Sequence, residues 1–178
     1  MEQLETNRLI LREWNINDAA DLYEYAKSKK IGPMAGWKPH ANIEESQKII
    51  QMFIEENETW AICLKETGKV IGSIGLHRLC KEQERSLGYV LSEMFWGKGI
   101  VYEAAKCVMD YAFHNFKIDT ISVVHFPFNI QSKRVIEKLG FHYTETKEKA
   151  TKTFDGNEYD DVCYSISKED FYNLNKSL

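Results

Sequence analysis

Between residues 87 and 141 the hydrophobic period of this chain changes repeatedly, and few architectures accommodate that. The run 87–91 is short and apolar, as a strand is. Residues 101–116 then place Ala104, Ala105, Val108, Tyr111 and Ala112 at helical spacing. Residues 120–126 are β-branched and apolar, the pattern of a buried strand. Residues 132–139 return to the helical period through Val135, Ile136 and Leu139, and Gly140 supplies the stop. Strands and helices that alternate in this way require a mixed α/β layout, with helices covering a sheet.

The flanking sequence extends the layout. Residues 9–12 read as a first strand, and Asn17-Asp18 opens a helix carrying Leu22, Tyr23 and Ala26. Residues 31–39 hold two Gly and two Pro and must form a loop. Asn42 followed by Glu45 resembles a capping box, with Ile49, Ile50 and Phe53 on the helix behind it. A hairpin joins 60–64 to 70–76 through the polar turn 66–69, and two more strands follow around 143–149 and 161–166. The order is therefore β-α-α-β-β-β-α-β-α-β-β. No repeat, low-complexity tract or linker interrupts it, so a single domain over 1–178 is expected.

Composition narrows the function classes. The chain has 178 residues, 43% apolar and 28% charged, with a net charge of -4. It lacks the basic surplus of a nucleic-acid protein, and none is expected as a partner. Cys63, Cys80, Cys107 and Cys163 show no zinc-knuckle or redox spacing, and the five histidines include no i,i+4 pair, so no metal is expected. The N-terminus has no cationic flank before an apolar core, and no apolar run reaches the roughly 20 residues of a membrane helix. The expectation is a cytoplasmic chain with free thiols and no membrane partner.

The sharpest local signal is the loop Trp96-Gly97-Lys98-Gly99-Ile100-Val101, between a strand and a helix start. Two glycines let the backbone turn tightly and expose successive N–H groups, which with the helix dipole make an anion cradle. It is neither a Walker loop nor a complete G-x-G-x-x-G. A plain strand-to-helix turn is the competing reading.

A second segment lies after the next strand: Asn129, Ser132 and, nine residues after Asn129, Lys138-Leu139-Gly140-Phe141. With Gly88-Tyr89 ahead of the loop, Glu103-Ala104 behind it and the opening strand within 4–12, this order resembles the GNAT superfamily of N-acetyltransferases. The likeness is closest to the branch of ribosomal-protein N-terminal (alanine) acetyltransferases, and it spans nearly the whole chain. The resemblance implies a sheet of about six to seven strands, splayed between 87–91 and 120–126 into a cleft for acetyl-CoA. It implies that the pantetheine arm pairs with the main chain of Tyr89, Val90 and Leu91, where an N–H near Val90 or Leu91 polarises the thioester carbonyl. The pyrophosphate would meet Trp96, Gly97, Lys98, Gly99, Ile100 and Val101. Asn129 would bond the pantetheine or acyl region, and Ser132 would lie near the cofactor sulfur. The implied partners are acetyl-CoA, an amine acceptor (a protein N-terminus or a small molecule) and a second copy in a homodimer.

Several positions depart from the family pattern. Trp96 stands where Gln or Arg is common, and Val101 stands where Gly or Ala is common, with a β-branched side chain that would crowd the phosphates. Ser86 occupies the place of a glutamate base in many relatives, which leaves Glu84, or a water held by Ser86, to take the amine proton. Ile136 occupies the place of a tyrosine acid, so Ser132 becomes the candidate beside the leaving sulfur; a helix-capping serine is its other reading. His77 and His125 read either as proton relays or as ordinary polar histidines. Trp37 reads either as a surface for the acceptor or as the anchor of its own loop. Those departures also admit a second function, a GNAT-fold module that holds acetyl-CoA without transferring it.

Overall fold

The computed structural model describes residues 1–176. Its strands are β1 (Leu4–Glu5), β2 (Leu9–Arg12), β3 (Thr59–Leu64), β4 (Val70–Arg78), β5 (Glu84–Leu91), β6 (Thr120–His125), β7 (His142–Lys152) and β8 (Glu158–Ser167). Its helices are α1 (Ala19–Ala26), α2 (Ile43–Glu56), α3 (Ile100–Asn115), α4 (Ile130–Lys138) and α5 (Lys168–Lys176). The strands form one sheet in the order β1-β2-β3-β4-β5-β6-β8-β7. All the pairings are antiparallel except β5 with β6.

The architecture is the mixed α/β layout expected, with eight strands rather than six to seven. The additional strand is the two-residue β1, too short to carry a periodic signal. The additional helix, α5, buries Phe171 alone among its residues, so its apolar stripe is one ring wide.

Strand periodicity puts alternate residues on opposite faces, and the sheet is packed on both. Trp60 and Ile62 of β3, Leu87 and Leu91 of β5, and Ile121 and Val123 of β6 pack with Ala104, Val108 and Phe113 of α3 and Ile136 of α4. On the other face Ala61 and Cys63 pack with Leu22, Tyr25 and Ala26 of α1 and Ile50 of α2. Asn42 caps α2 through the Glu45 N–H, and Asn15 begins the turn before α1 with a full capping box. The outer strand β7 is exposed along nearly all its length, and its run of Lys and Glu blunts it against pairing with other chains.

Candidate active site

The parallel ladder between β5 and β6 matches Glu84 with Thr120 and ends at Leu87 with Val123, although β5 runs on to Leu91 and β6 to His125. The two strands therefore part at Gly88. The hydrogen-bond alternation of the sheet decides which main-chain groups face the gap. Ser92 N–H donates to the Ile71 carbonyl of β4, and Leu76 N–H to Glu58, on the side away from β5. Gln83 accepts from Asp119 and Thr120, on the β6 side. Together these turn the even-numbered residues of β5 to β4 and the odd-numbered ones to β6. The peptide N–H groups of Tyr89 and Leu91 thus face the opening, whereas the Val90 main chain pairs with Ser73. The Leu91 carbonyl accepts the Trp96 indole N–H at 2.8 Å, which fixes that ring at the mouth of the gap.

Beyond the mouth the chain turns through Gly97 (φ 74°) and Gly99 (φ 73°), both in the left-handed region where a side chain is strained. Gly99 is the N-cap residue of α3 and no side chain caps that helix, in contrast to Asn42 on α2 and Asn129 on α4. Since Glu103 N–H makes the first helical bond, to Gly99, the N–H groups of Ile100, Val101 and Tyr102 point out of the first turn. An anion placed there meets these donors and the positive end of a 16-residue helix. Ile100 and Val101 are buried in the core, so the β-branched Val101 side chain turns inward and does not crowd the cradle.

Arg8 lies beside this loop. Its guanidinium donates to the Lys98 carbonyl at 3.0 Å and pairs with Glu103 at 2.6 Å. Glu103 also accepts from the Thr6 hydroxyl and the Arg8 N–H. Burial pushes the Glu103 carboxyl up, but these bonds and the Arg8 charge outweigh it and hold the group below its ordinary value. Arg8 is a basic group at the cradle that sequence reasoning missed, because its pairing with Glu103 is 95 residues distant in the chain.

Asn129 caps α4 by accepting the Ser132 N–H at 3.1 Å and donates to the Met34 carbonyl at 3.2 Å, which ties the 31–39 loop to the cleft. Ser132 and Tyr89 share a hydroxyl–hydroxyl bond of 2.8 Å across the gap. Burial pushes the Tyr89 phenol up to about 12, with the Ser132 bond pulling the other way, so this pair holds its protons at neutral pH. Ile136, by contrast, is fully buried in the core.

The structure brings Tyr89, Leu91, Trp96, Gly97, Lys98, Gly99, Asn129 and Ser132 to one mouth and separates others from it. Glu84 begins β5, four residues before Gly88 and about 13 Å along the strand at about 3.3 Å per residue, where it pairs with Lys81 at 3.2 Å. Ser86 sits opposite His77 of β4. Trp37 folds back on Gly32 and lies against His40 with ring centroids 5.3 Å apart and the planes tilted by 49°, contacts that anchor its own loop. His125 is buried, with Nδ1 at 2.8 Å from the Phe126 carbonyl and Nε2 without a partner among the described residues. A cavity of about 460 Å³ adjoins the mouth, lined by Met34, Trp96, Phe128, Phe154 and Tyr159 among others. Among the described residues no His, Cys, Asp and Glu cluster of three or more could hold a metal ion, and no helix is long and apolar enough to cross a membrane.

An internal sheet gap with free N–H groups, ending at an uncapped helix, suits a thin molecule with amide groups at one end and phosphates at the other. Comparison with known proteins agrees. The family model "Acetyltransferase (GNAT) domain" matches residues 8–142. The uncharacterised N-acetyltransferase YoaA of Bacillus subtilis is 30% identical over 174 residues, covering 93% of this chain and 96% of that protein. A GNAT-family acetyltransferase from Bacillus anthracis superposes with a TM-score of 0.87 at 21% identity, over 94% of this chain and 99% of that one. The ribosomal-protein-S5-alanine acetyltransferase of Vibrio fischeri does so at 0.77 and 21% identity, over 96% and 99%. The chain therefore belongs to the GNAT acetyltransferases, as an N-acetyltransferase that takes its acetyl group from acetyl-CoA.

Proposed function

We propose that the chain acts as a single catalytic domain acetylating a primary amine by direct attack on the thioester, the amine belonging to a protein N-terminus or a small molecule. The observation that carries this reading is the parting of β5 from β6 after Leu87, with the Tyr89 and Leu91 N–H groups turned into the gap. The donor's pantetheine amides pair with that edge as an added strand would. One of the two N–H groups polarises the thioester carbonyl; a donor of this kind supplies on the order of 3 kcal/mol to the transition state. The pyrophosphate takes the N–H groups of Gly97 through Val101, assisted by Arg8. Asn129 holds the α4 end of the cleft in place. The Tyr89–Ser132 hydroxyl pair, protonated at neutral pH, gives a proton to the departing thiolate.

The aromatic cavity beside the mouth is where the acceptor's body would rest, between the 31–39 loop and the β7–β8 hairpin. Free cysteines suit a reducing cytoplasm, and a homodimer fits the family.

The test has two readings. Acetyl-CoA should raise the melting temperature. Free thiol should then appear when a peptide with an N-terminal alanine, benzylamine and a polyamine are offered in turn. Stabilisation without thiol release on any amine would refute transfer, and no stabilisation would refute the cleft assignment.

A further inference from the structure

The even-numbered face of β5, opposite the Tyr89–Ser132 pair, holds an arrangement that the donor chemistry leaves unused. His77 stands across from Ser86 on the neighbouring strand β4. Its ring lies over two glycines. Nε2 is 2.8 Å from where a Cβ on Gly75 would stand and 3.2 Å from where one on Gly88 would stand. Alanine at Gly75 would displace the ring. Gly88 is the residue at which β5 leaves β6, and its carbonyl carbon carries the Tyr89 N–H. The imidazole therefore sits one peptide unit from a donor proposed for the thioester carbonyl, on the face that looks toward α1 and α2.

The other ring nitrogen is held from behind. Nδ1 is 3.5 Å from Glu58 Oε2, and the Glu58 side chain is only 17% exposed. Arg78 fixes that carboxylate from two sides, with Nε at 3.2 Å from Oε1 and the backbone N–H at 3.3 Å from Oε2. A carboxylate behind Nδ1 favours the tautomer with its proton there and leaves a lone pair on Nε2, the arrangement by which a base is oriented in hydrolytic triads. Thr59 Oγ1 completes the patch: it is buried, has no hydrogen-bond partner among the described residues, and lies 2.9 Å from the same Gly75 Cβ position.

We propose that His77 is the general base of the acetyl transfer and that Glu58 is its positioning residue. This rests on the acetyl-transfer reading above and supplies the acceptor that Ser86 cannot. An ammonium acceptor gives one proton to His77 Nε2, directly or through one water. The freed amine nitrogen then bonds to the acetyl carbon as the C–S bond breaks. Sulfur leaves with the electron pair and takes the nitrogen's second proton by way of the Tyr89–Ser132 hydroxyls. His77 returns its proton to solvent across its exposed edge.

His77→Ala and His77→Gln test this with the N-terminal alanine peptide and benzylamine as acceptors, acetylated product being counted by mass. Both variants should keep the wild-type acetyl-CoA thermal shift and lose about 10²–10⁴-fold in kcat at neutral pH. Added imidazole should restore part of the His77→Ala rate and none of the loss in Glu58→Gln, which should lower kcat with KM unchanged. Wild-type turnover in both His77 variants would overturn the assignment while leaving acetyl transfer intact. So would a loss that imidazole does not rescue and that is matched by a lost thermal shift. A wild-type protein that transfers to neither amine would overturn transfer itself, and His77 with it.

Discussion

Glutamate at Gly99 tests the anion cradle with its own built-in control. Gly99 has φ 73° and only the Arg8 guanidinium within 4 Å of an added Cβ; Gly68, in the β3–β4 turn, has φ 70° and nothing within 4 Å. The backbone strain of a non-glycine residue is thus common to both sites, about 1–2 kcal/mol, or about 2–8 °C in melting temperature for a domain of this size. Only Gly99 adjoins the exposed N–H groups of α3. A carboxylate about 4 Å from a phosphate charge near the surface costs about 4 kcal/mol, a drop in affinity of about 10³-fold. At acetyl-CoA 100-fold above the wild-type dissociation constant, the ligand stabilises by about 2.7 kcal/mol, a shift of about 5–11 °C. In Gly99→Glu the same concentration should give about 0.1 kcal/mol, too little to register. Gly68→Glu should melt lower yet keep its full ligand shift. Differential scanning fluorimetry with and without acetyl-CoA at two salt concentrations reads both quantities. Equal ligand shifts in the two variants would refute the phosphate assignment of this loop, however much either one destabilises.

Three further outcomes follow. Asn129→Ala removes the α4 cap and the tie to Met34, and should cost about 1 kcal/mol in urea denaturation while weakening acetyl-CoA binding far less than Gly99→Glu. Glu103→Gln should be about 1–3 kcal/mol less stable than wild type at pH 7, less in high salt because Arg8 is half exposed. The Glu103 carboxyl is held below its ordinary 4.5 in the folded state, so its contribution is present above that value and lost as pH falls through the folded one; denaturation curves of the two proteins should converge in acid. Ile136→Tyr should destabilise by about 1–3 kcal/mol through overpacking without raising kcat, since that position is fully buried; an increase in kcat would show that the ring reaches the cleft.

Much of this was legible in the chain because the informative contacts are local. Asn129 and Ser132 are three residues apart, the Gly97–Gly99 loop needs only its own dihedral angles, and α2 and α3 carry long apolar stripes. What escaped depends on register. The 4-residue offset between Glu84 and Gly88 decides that Glu84 lies at the closed end of β5, and only the ladder shows where that end is. The Glu58–His77–Gly88 arrangement joins β4, β5 and the residue before β3, so each member alone looks like ordinary strand or loop chemistry. Trp37 carried an ambiguous signal because a tryptophan that anchors a loop and one that meets a ligand are spelled alike. The indole packs where Gly32 has no side chain, which accounts for the anchoring role.

The parting of β5 from β6 has a mechanical consequence. Only four residue pairs join the two strands, fewer than the seven that join β4 to β5 and the six that join β6 to β8, so the seam between the β1–β5 and β6–β8 parts is weaker than the seams on either side of it. Other proteins must protect such an edge from capture by foreign strands; here it lies inside the sheet, between β5 and β6, rather than at its outer margin. A donor lying in that gap bridges the two parts as well as delivering an acetyl group. Release of spent donor would leave the seam on its own four pairs, and amide exchange at Tyr89 and Leu91 should be slower with acetyl-CoA bound than without it.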